Sequence, residues 1–446
     1  MNVKEQVALQ RTELEVAVNY ALEMACKKAD TAEVTITKTT GISVATHMCE
    51  VESVEFNSDG MLEITVYRGQ CKGSASTSDL SKKAITQTVA AALDIANYTS
   101  EDPFSGPAPA KLMAYDYPEL DLFYPDESEP GHAAKKAIAA ERAALGYDKR
   151  IKFNHGASYD SHYGVRIYGN SHGMLGSYAS SCHNLSCSVI AKDSKGMERD
   201  YSYTVARDKL DLWTPEKVGI QAAKRTIARM GSRRVSTCYA PVMFSADIAT
   251  GLLGHLVMGI SGSNLYRKSS FLLNKLGHQI LPKWFQIYER PHILKGIASL
   301  PFDHEGLITR NLDIIKNGEL QTYLVTSYAA RKLGMEPTGH AGGIHNWFIG
   351  NTGQSYEQML KCLNTGLLVT ELMGQGVNIV TGDYSRGAAG FWVENGELKY
   401  PVSEITIAGN LTDMFKQIIA VGTDTECRCQ IQTGSILIES IKIGGA

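Results

Sequence analysis

The chain has 446 residues, 43% of them hydrophobic, and a formal net charge of −3, enough for two or three domains with their own cores. Such a balance offers no basic field for nucleic acid and no acidic tail. The first twenty residues carry charges throughout and contain no apolar h-region, which predicts no signal peptide. The longest apolar stretch, Ile248 to Ile260, is interrupted by His255 and is too short to span a bilayer. Nine cysteines without framework spacing fit a reducing compartment, and the expected location is cytoplasmic.

In chain order, residues 4–28 place Val7, Leu14, Val18, Leu22 and Ala25 at helical spacing. Four β-like runs follow, Glu33–Thr40, Ile42–Met48, Val51–Asn57 and Met61–Arg68, with a turn predicted at Asn57-Ser58-Asp59-Gly60. Ser78-Asp79 offers caps for an alanine-rich helix from about Lys82 to Ala96. Residues 103–130 hold six of the thirteen prolines and read as an extended linker on the surface. The pattern then recurs. A helix is predicted near His132–Leu145, β-runs over Ile151–Ala206 with a turn at Asp193-Ser194-Lys195-Gly196, and a helix opened by the Thr214-Pro215 cap and stopping near Gly231. From Pro241 the chain turns strand- and glycine-rich, with one prominent helix at Asp247–Ile260. IIKNGELQTYLV and FWVENGELKYPV each set Asn-Gly between apolar arms, the signal of a two-residue hairpin.

The fold class is therefore α+β: two helix-flanked antiparallel β modules, then a large β-rich C-terminal domain. The expected organisation is 1–100 for the first helix–strands–helix module, 101–130 for the linker, 131–235 for the second module and 236–446 for the β-rich domain.

Several constellations invite chemistry. Gly169-Asn170-Ser171-His172-Gly173 matches the nucleophile-elbow pattern, but that motif needs a strand-to-helix turn, and both flanks read as strands. A hairpin turn accounts for it better than a hydrolase. His304-Glu305 lacks a second histidine at four or five residues. His340 and His345 are close, yet glycines between them argue for a loop. Cys427-Arg428-Cys429 lacks a second thiol pair. Basic residues Lys224, Arg225, Arg229, Arg233 and Arg234 cluster near a helix end, which favours the helix dipole and solvation over nucleic acid. The loops TGHAGGIHN and TGDYSRGAAG combine glycine with His, Asp, Tyr and Arg; such loops approach a peptide backbone closely while offering polar contacts. The candidates for such contacts are His340, His345, Asp383, Tyr384 and Arg386.

The wording TGDYSRGAAGFWVENGELKYPVSEITIAGN at Thr381–Asn410, with a likeness running from TKTTGISV at Thr37 to the end, resembles the TldD/PmbA metallopeptidase family, also labelled modulator of DNA gyrase, and its PmbA (TldE) branch most. The resemblance implies a two-part zinc metallopeptidase acting on unfolded peptides, such as peptide-antibiotic precursors and antitoxins. In it a TldD-like chain carries the zinc and a second chain completes the complex, and loops of the C-terminal domain border the peptide cleft, which makes His340, His345, Asp383, Tyr384 and Arg386 the substrate-cleft candidates. The catalytic branch holds zinc on His-Glu-x-x-x-His plus a distant cysteine, the Glu serving as base. The matching positions here are Thr250, Gly251 and His255, and Thr433 falls where the cysteine would be. Threonine is a poor zinc ligand, and glycine moves no proton. No catalytic residue and no metal are expected in this chain, with zinc in the partner subunit. The expected partners are a TldD-like subunit and peptide substrates, with a homodimer when alone, and neither nucleic acid nor membrane. The alternative is a non-enzymatic adaptor acting on a toxin–antitoxin or DNA gyrase system.

Overall fold

A computed structural model of the protein describes residues 2–194 and 196–445. The N-terminal half is built on one six-stranded antiparallel sheet in the order β3-β2-β1-β4-β5-β6. Its strands are β1 (Thr31–His47), β2 (Glu50–Arg68), β3 (Cys71–Thr77), β4 (Ile151–Asn170), β5 (Leu175–Asp193) and β6 (Gly196–Ala206). The two expected modules are thus halves of one sheet, joined where Glu33 through Thr46 of β1 pair with Asn170 through Ala157 of β4. Four short runs have also fused into two long strands. Asn57–Gly60 is not a turn, because these residues continue β2 opposite Gly41 through Lys38. The chain reverses instead at Met48 and Cys49, both at positive φ (53° and 63°). The hairpin between β5 and β6 falls at the expected place, with Lys195 outside the described residues.

Helices α1 (Val3–Cys26), α2 (Lys82–Tyr98), α3 (Pro130–Leu145) and α4 (Pro215–Ala228) flank this sheet. Each start follows from its sequence. Asn2 and Glu5 form a capping box on α1, and Thr214 caps α4 with proline behind it. For α2 the cap is Ser81 rather than Ser78 or Asp79, and Asp79 accepts a hydrogen bond from Ser81 N at 2.8 Å. Strand alternation then decides which face is apolar. Val34, Ile36, Val165 and Ile167 pack under α1 and α2, while Val44, Ala157, Tyr159 and Val189 pack under α3 and α4. In β1 these are all even-numbered and in β4 all odd, so all four helices cover the same face.

The C-terminal half holds two sheets. One has the order β10-β9-β8-β11-β16, from β8 (Ile287–Arg290), β9 (Leu312–Lys316), β10 (Glu319–Leu320), β11 (Asn346–Ile349) and β16 (Ile431–Gln432). The other runs β14-β13-β12-β7-β17-β15, from β7 (Cys238–Phe244), β12 (Gly366–Met373), β13 (Asp383–Glu394), β14 (Glu397–Asn410), β15 (Ile418–Val421) and β17 (Ile436–Gly444). Pairing is antiparallel except for β7 with β12 and β11 with β16. Both Asn-Gly hairpins form, with Asn395 and Gly396 at φ 55° and 75°, and Asn317 and Gly318 at 53° and 76°, as a type I′ turn requires. Helix α5 (Ala246–Gly259) packs against β12 of one sheet and β16 of the other. Among the described residues no helix is long and apolar enough to cross a membrane.

The proline-rich segment is more than a surface strap. Met113, Ala114, Leu120 and Leu122 are buried, and Met113 and Ala114 share a small core with Tyr168, Phe302 and Leu307 that joins the two halves. Arg331 donates to the carbonyls of Phe104, Gly106 and Pro107. Two of the arginines expected to be solvated also tie elements together. Arg225 on α4 bridges Asp200 (3.2 Å) and Asp247 (3.0 Å) at the start of α5, and Arg229 pairs with Glu371 of β12.

Glu141 of α3 is fully buried. It accepts from Thr46 Oγ1 (2.8 Å), Ala157 N (3.0 Å) and Cys49 N, closing the reversal between β1 and β2. Glu141→Ala removes the carboxylate from the Cys49 and Ala157 amides and leaves Thr46 Oγ1 only its longer bond to Ala157 O (3.3 Å), and should lower unfolding free energy by roughly 3 kcal/mol, measured by urea denaturation. A loss below about 0.5 kcal/mol would show that water replaces the carboxylate.

Candidate functional site

The helix that carries the degenerate motif is a regular α-helix through residues 250–255, so positions 250 and 255 point about 140° apart around its axis. Its buried face is Ala249, Leu252, Leu253 and Leu256. Thr250 is half-buried and donates its hydroxyl to Asp247 O at 2.7 Å. Gly251 is exposed, and a Cβ placed there would meet nothing within 4 Å; space does not exclude a larger side chain. Thr433 follows β16, is fully buried and donates to Gly434 O at 3.0 Å.

His255 lies with its ring edge-on to Tyr384, the centroids 5.9 Å apart. Neither ring nitrogen has a hydrogen-bond partner, and Tyr384 Oη and Arg386 Nε are also buried without one. Burial, reinforced by the Arg386 charge, lowers the His255 pKa and keeps the imidazole neutral. Burial pushes the Tyr384 phenol up to about 12 against the opposing pull of Arg386. The structure therefore brings the motif's histidine together with two of the five cleft candidates. Asp383, by contrast, is exposed and accepts from Thr381 Oγ1 at 2.6 Å. One imidazole and two hydroxyls do not fit a zinc ion, which takes Cys, His or carboxylate donors in tetrahedral sets.

His340 and His345 are buried, 6% and 2% exposed, and face inward rather than an open cleft. Both converge on Glu289 of β8, itself fully buried. His340 Nε2 lies 3.1 Å from each carboxylate oxygen, and His345 Nδ1 contacts Oε1. His345 N (3.1 Å) and Trp347 Nε1 (2.7 Å) also donate to the carboxylate. Thr338 Oγ1 holds the far nitrogen of His340 at 2.8 Å. The three ligand atoms lie within 4.8 Å of one another, the spacing of a metal-ligand cluster, while each histidine already directs a ring nitrogen at the carboxylate as a hydrogen-bond partner. Glu289 is better described as an anion at the centre of a hydrogen-bonded hub. Burial works to raise its pKa; the hydrogen bonds and charges of His340 and His345 outweigh that and hold it well below the usual carboxylate range.

Other motifs settle as expected or acquire new surroundings. Ser171 lies in the turn between β4 and β5, and its Oγ accepts from Ala32 N at 3.1 Å, so it is a hairpin residue. His304 and Glu305 border a cavity between the N-terminal sheet and the C-terminal domain, opposite Glu33, Arg166 and Tyr168. The sequence reading missed Glu289, Glu33 and Arg166. The last two carry a faint signal, as charged residues on the polar side of alternating strands; Glu289, in the short run IYER, carries none.

Family models for the PmbA/TldA metallopeptidase match residues 32–96 (domain 1), 123–230 (central domain) and 237–445 (C-terminal domain). The chain is 60% identical over 445 residues to the metalloprotease PmbA of Escherichia coli O157:H7, covering 100% of this chain and 99% of that one. A Bacteroides thetaiotaomicron VPI-5482 crystal structure named for a modulator of DNA gyrase superposes with a TM-score of 0.92 at 26% identity, covering 97% and 99% of the two chains. TldE from Thermococcus kodakarensis shares the fold, with a TM-score of 0.85 at 22% identity over 96% of this chain and 100% of that one.

Two predictions follow from the geometry. Because the folded pKa of Glu289 is depressed, its stabilisation is fully present above the free glutamate value of about 4.3 and is lost as pH falls through the folded value. Glu289→Gln should lower stability at pH 7 by about 3–5 kcal/mol and flatten the acid limb of a stability–pH curve below about pH 4.3; an unchanged acid limb would count against the hub. Thr250→His with Gly251→Glu should fold, since the added side chain at 251 meets open space. It should show no zinc-dependent peptide hydrolysis, because position 433 still supplies a hydroxyl. Efficient cleavage by the double variant alone would show a more complete site.

Proposed function

The chain belongs to the PmbA/TldD metallopeptidase family, and on that premise we propose that it is the PmbA/TldE-like subunit of a two-component zinc metalloprotease. It would bind no zinc at the α5 motif and would shape the channel through which a TldD-like subunit receives unfolded peptides. Peptide-antibiotic precursors and antitoxins are the substrates that the resemblance implies. The observation that carries this reading is the donor set at positions 250, 251, 255 and 433, which lacks both ligand count and base while the surrounding scaffold is whole. Zinc held by the partner would supply the activated water and polarise the scissile carbonyl.

A free strand edge supports pairing. Over residues 50–60, the side of β2 away from β1 meets no strand among the described residues, since β3 pairs only with 62–68. Phe56 there is 73% exposed, with Val51 and Met48 each 48% exposed. Such an edge is stabilised when a partner covers it. Related chains reuse one surface in two-fold pairs, so the same face would serve a homodimer when the partner is missing.

The test is reconstitution. The purified chain alone should cleave no peptide, and an equimolar mixture with a TldD-like subunit should cleave. Replacing the partner's metal-binding histidines should abolish that cleavage, while His255→Ala here should reduce it only a few-fold. A pulldown that recovers gyrase and no TldD-like chain would favour the adaptor instead, and a His255→Ala loss equal to loss of the partner's ligands would make this chain catalytic.

A further inference from the structure

The sheet's second face, opposite the four helices, is polar and only partly covered. Thr35 and Thr37 of β1 stand opposite Tyr168 and Arg166 of β4. Two cavities of about 280 and 220 Å³ open on this face and share Thr37 and Arg166 in their walls.

The charged groups around it are unequally satisfied. Glu33 accepts from Tyr67 Oη (2.9 Å) and Tyr168 Oη (3.1 Å). Glu305 accepts from Ser327 N (2.9 Å) and Oγ (2.6 Å). Arg166 has no such partner. Among the described residues it forms no ion pair, and its Nε is buried without a hydrogen-bond acceptor. Its charge also reaches His304, whose pKa is brought down to about 4 by burial first and by Arg166 second; a neutral His304 adds no second positive charge. The groove thus sets Arg166 beside two acids that have found other donors, Glu33 and Glu305, with Glu63 and Lys72 completing its charged wall. A half-buried guanidinium fork suits a planar carboxylate. A polyanion such as nucleic acid suits it badly, because Glu33, Glu63 and Glu305 lie in the same wall. Threonines 35, 37 and 65 add hydroxyls that donate to or accept from a peptide backbone.

We propose that this groove is a carboxylate-binding site that takes the free C-terminal end of an unfolded peptide, with Arg166 pairing the carboxylate. The inference rests on the reading of the chain as a peptide-handling subunit and names the group by which it would hold its substrate.

The experiment uses the full chain without a partner. A fluorescein-labelled unstructured peptide with a free C-terminus is compared by anisotropy with the same peptide amidated. The free acid should bind about tenfold to a hundredfold more tightly, the range of a charge-assisted hydrogen bond. Arg166→Gln should erase the preference, and Arg166→Lys should restore part of it. Because the guanidinium has no protein partner, Arg166→Gln should keep its melting temperature, so a folded variant is available for the comparison. Equal binding of acid and amide, or a preference surviving Arg166→Gln, would overturn the proposal. So would displacement of the peptide by inorganic phosphate at concentrations where acetate has no effect, which would make the ligand phosphoryl. If the unsubstituted chain shows no preference for the acid while the two-subunit mixture cleaves, this inference alone fails; if it shows the preference while the mixture does not cleave, the subunit reading alone fails.

Discussion

The structure depends on the sidedness of its N-terminal sheet. Because side chains alternate along a strand, placing Val34, Ile36 and Val44 on one side of β1 forces Glu33, Thr35 and Thr37 onto the other. β4 matches it, with Val165 and Ile167 against the helices and Arg166 and Tyr168 away from them. Each fully buried aliphatic side chain stabilises the helix-covered face by about 1.5–3 kcal/mol, so a slip of one residue would be ruinous. The polar face cannot take a helix of its own. It is left to the C-terminal domain, whose 302–307 segment and the buried part of the proline-rich strap cover one part and leave the groove over the rest.

That constraint also explains which parts of the fold were legible. Helices with caps and alternation over several turns were readable, as were the Asn-Gly hairpins, because their signals are local. Asn57-Ser58-Asp59-Gly60 carries an equally strong local turn signal, yet the ladder with Lys38–Gly41 holds it extended. The true reversal at Met48-Cys49 uses two residues with no turn preference, and Glu141, over ninety residues away, supplies the acceptor that closes it. The fusion of two modules into one sheet rests on pairing between β1 and β4, more than a hundred positions apart. Nothing in either strand names its partner.

The same division runs through the functional residues. His255 was visible through motif position, but its meeting with Tyr384 was not, and the segment expected to be a loop there is strand from Asp383 onward, β13 carrying both Tyr384 and Arg386. His340 and His345 were visible as a pair, but their role depends on Glu289, fifty-one and fifty-six residues earlier. Without that carboxylate they read as loop residues free to contact a substrate. With it they become donors to a buried anion, and the glycines between them allow the loop to fold back over β8.

Two of the places where buried polar atoms lack partners differ in their surroundings. His255 and Tyr384 are packed ring against ring beside Arg386, whose Nε is also unpartnered, and each group left without a hydrogen bond costs about 1–3 kcal/mol. Such a cost is bearable in a helix whose open face at Gly251 meets no neighbour; it marks a place where polar shape persists without the ligands that chemistry would need. Arg166 is charged, and it cannot shed its proton to escape burial as a lysine or histidine can. A half-buried permanent cation in a cleft wall, beside Glu33 and Glu305 that have found other donors, gains from an anion that arrives from outside. The first set is compatible with a scaffold role, whereas Arg166 stands in the walls of two cavities that a ligand can enter.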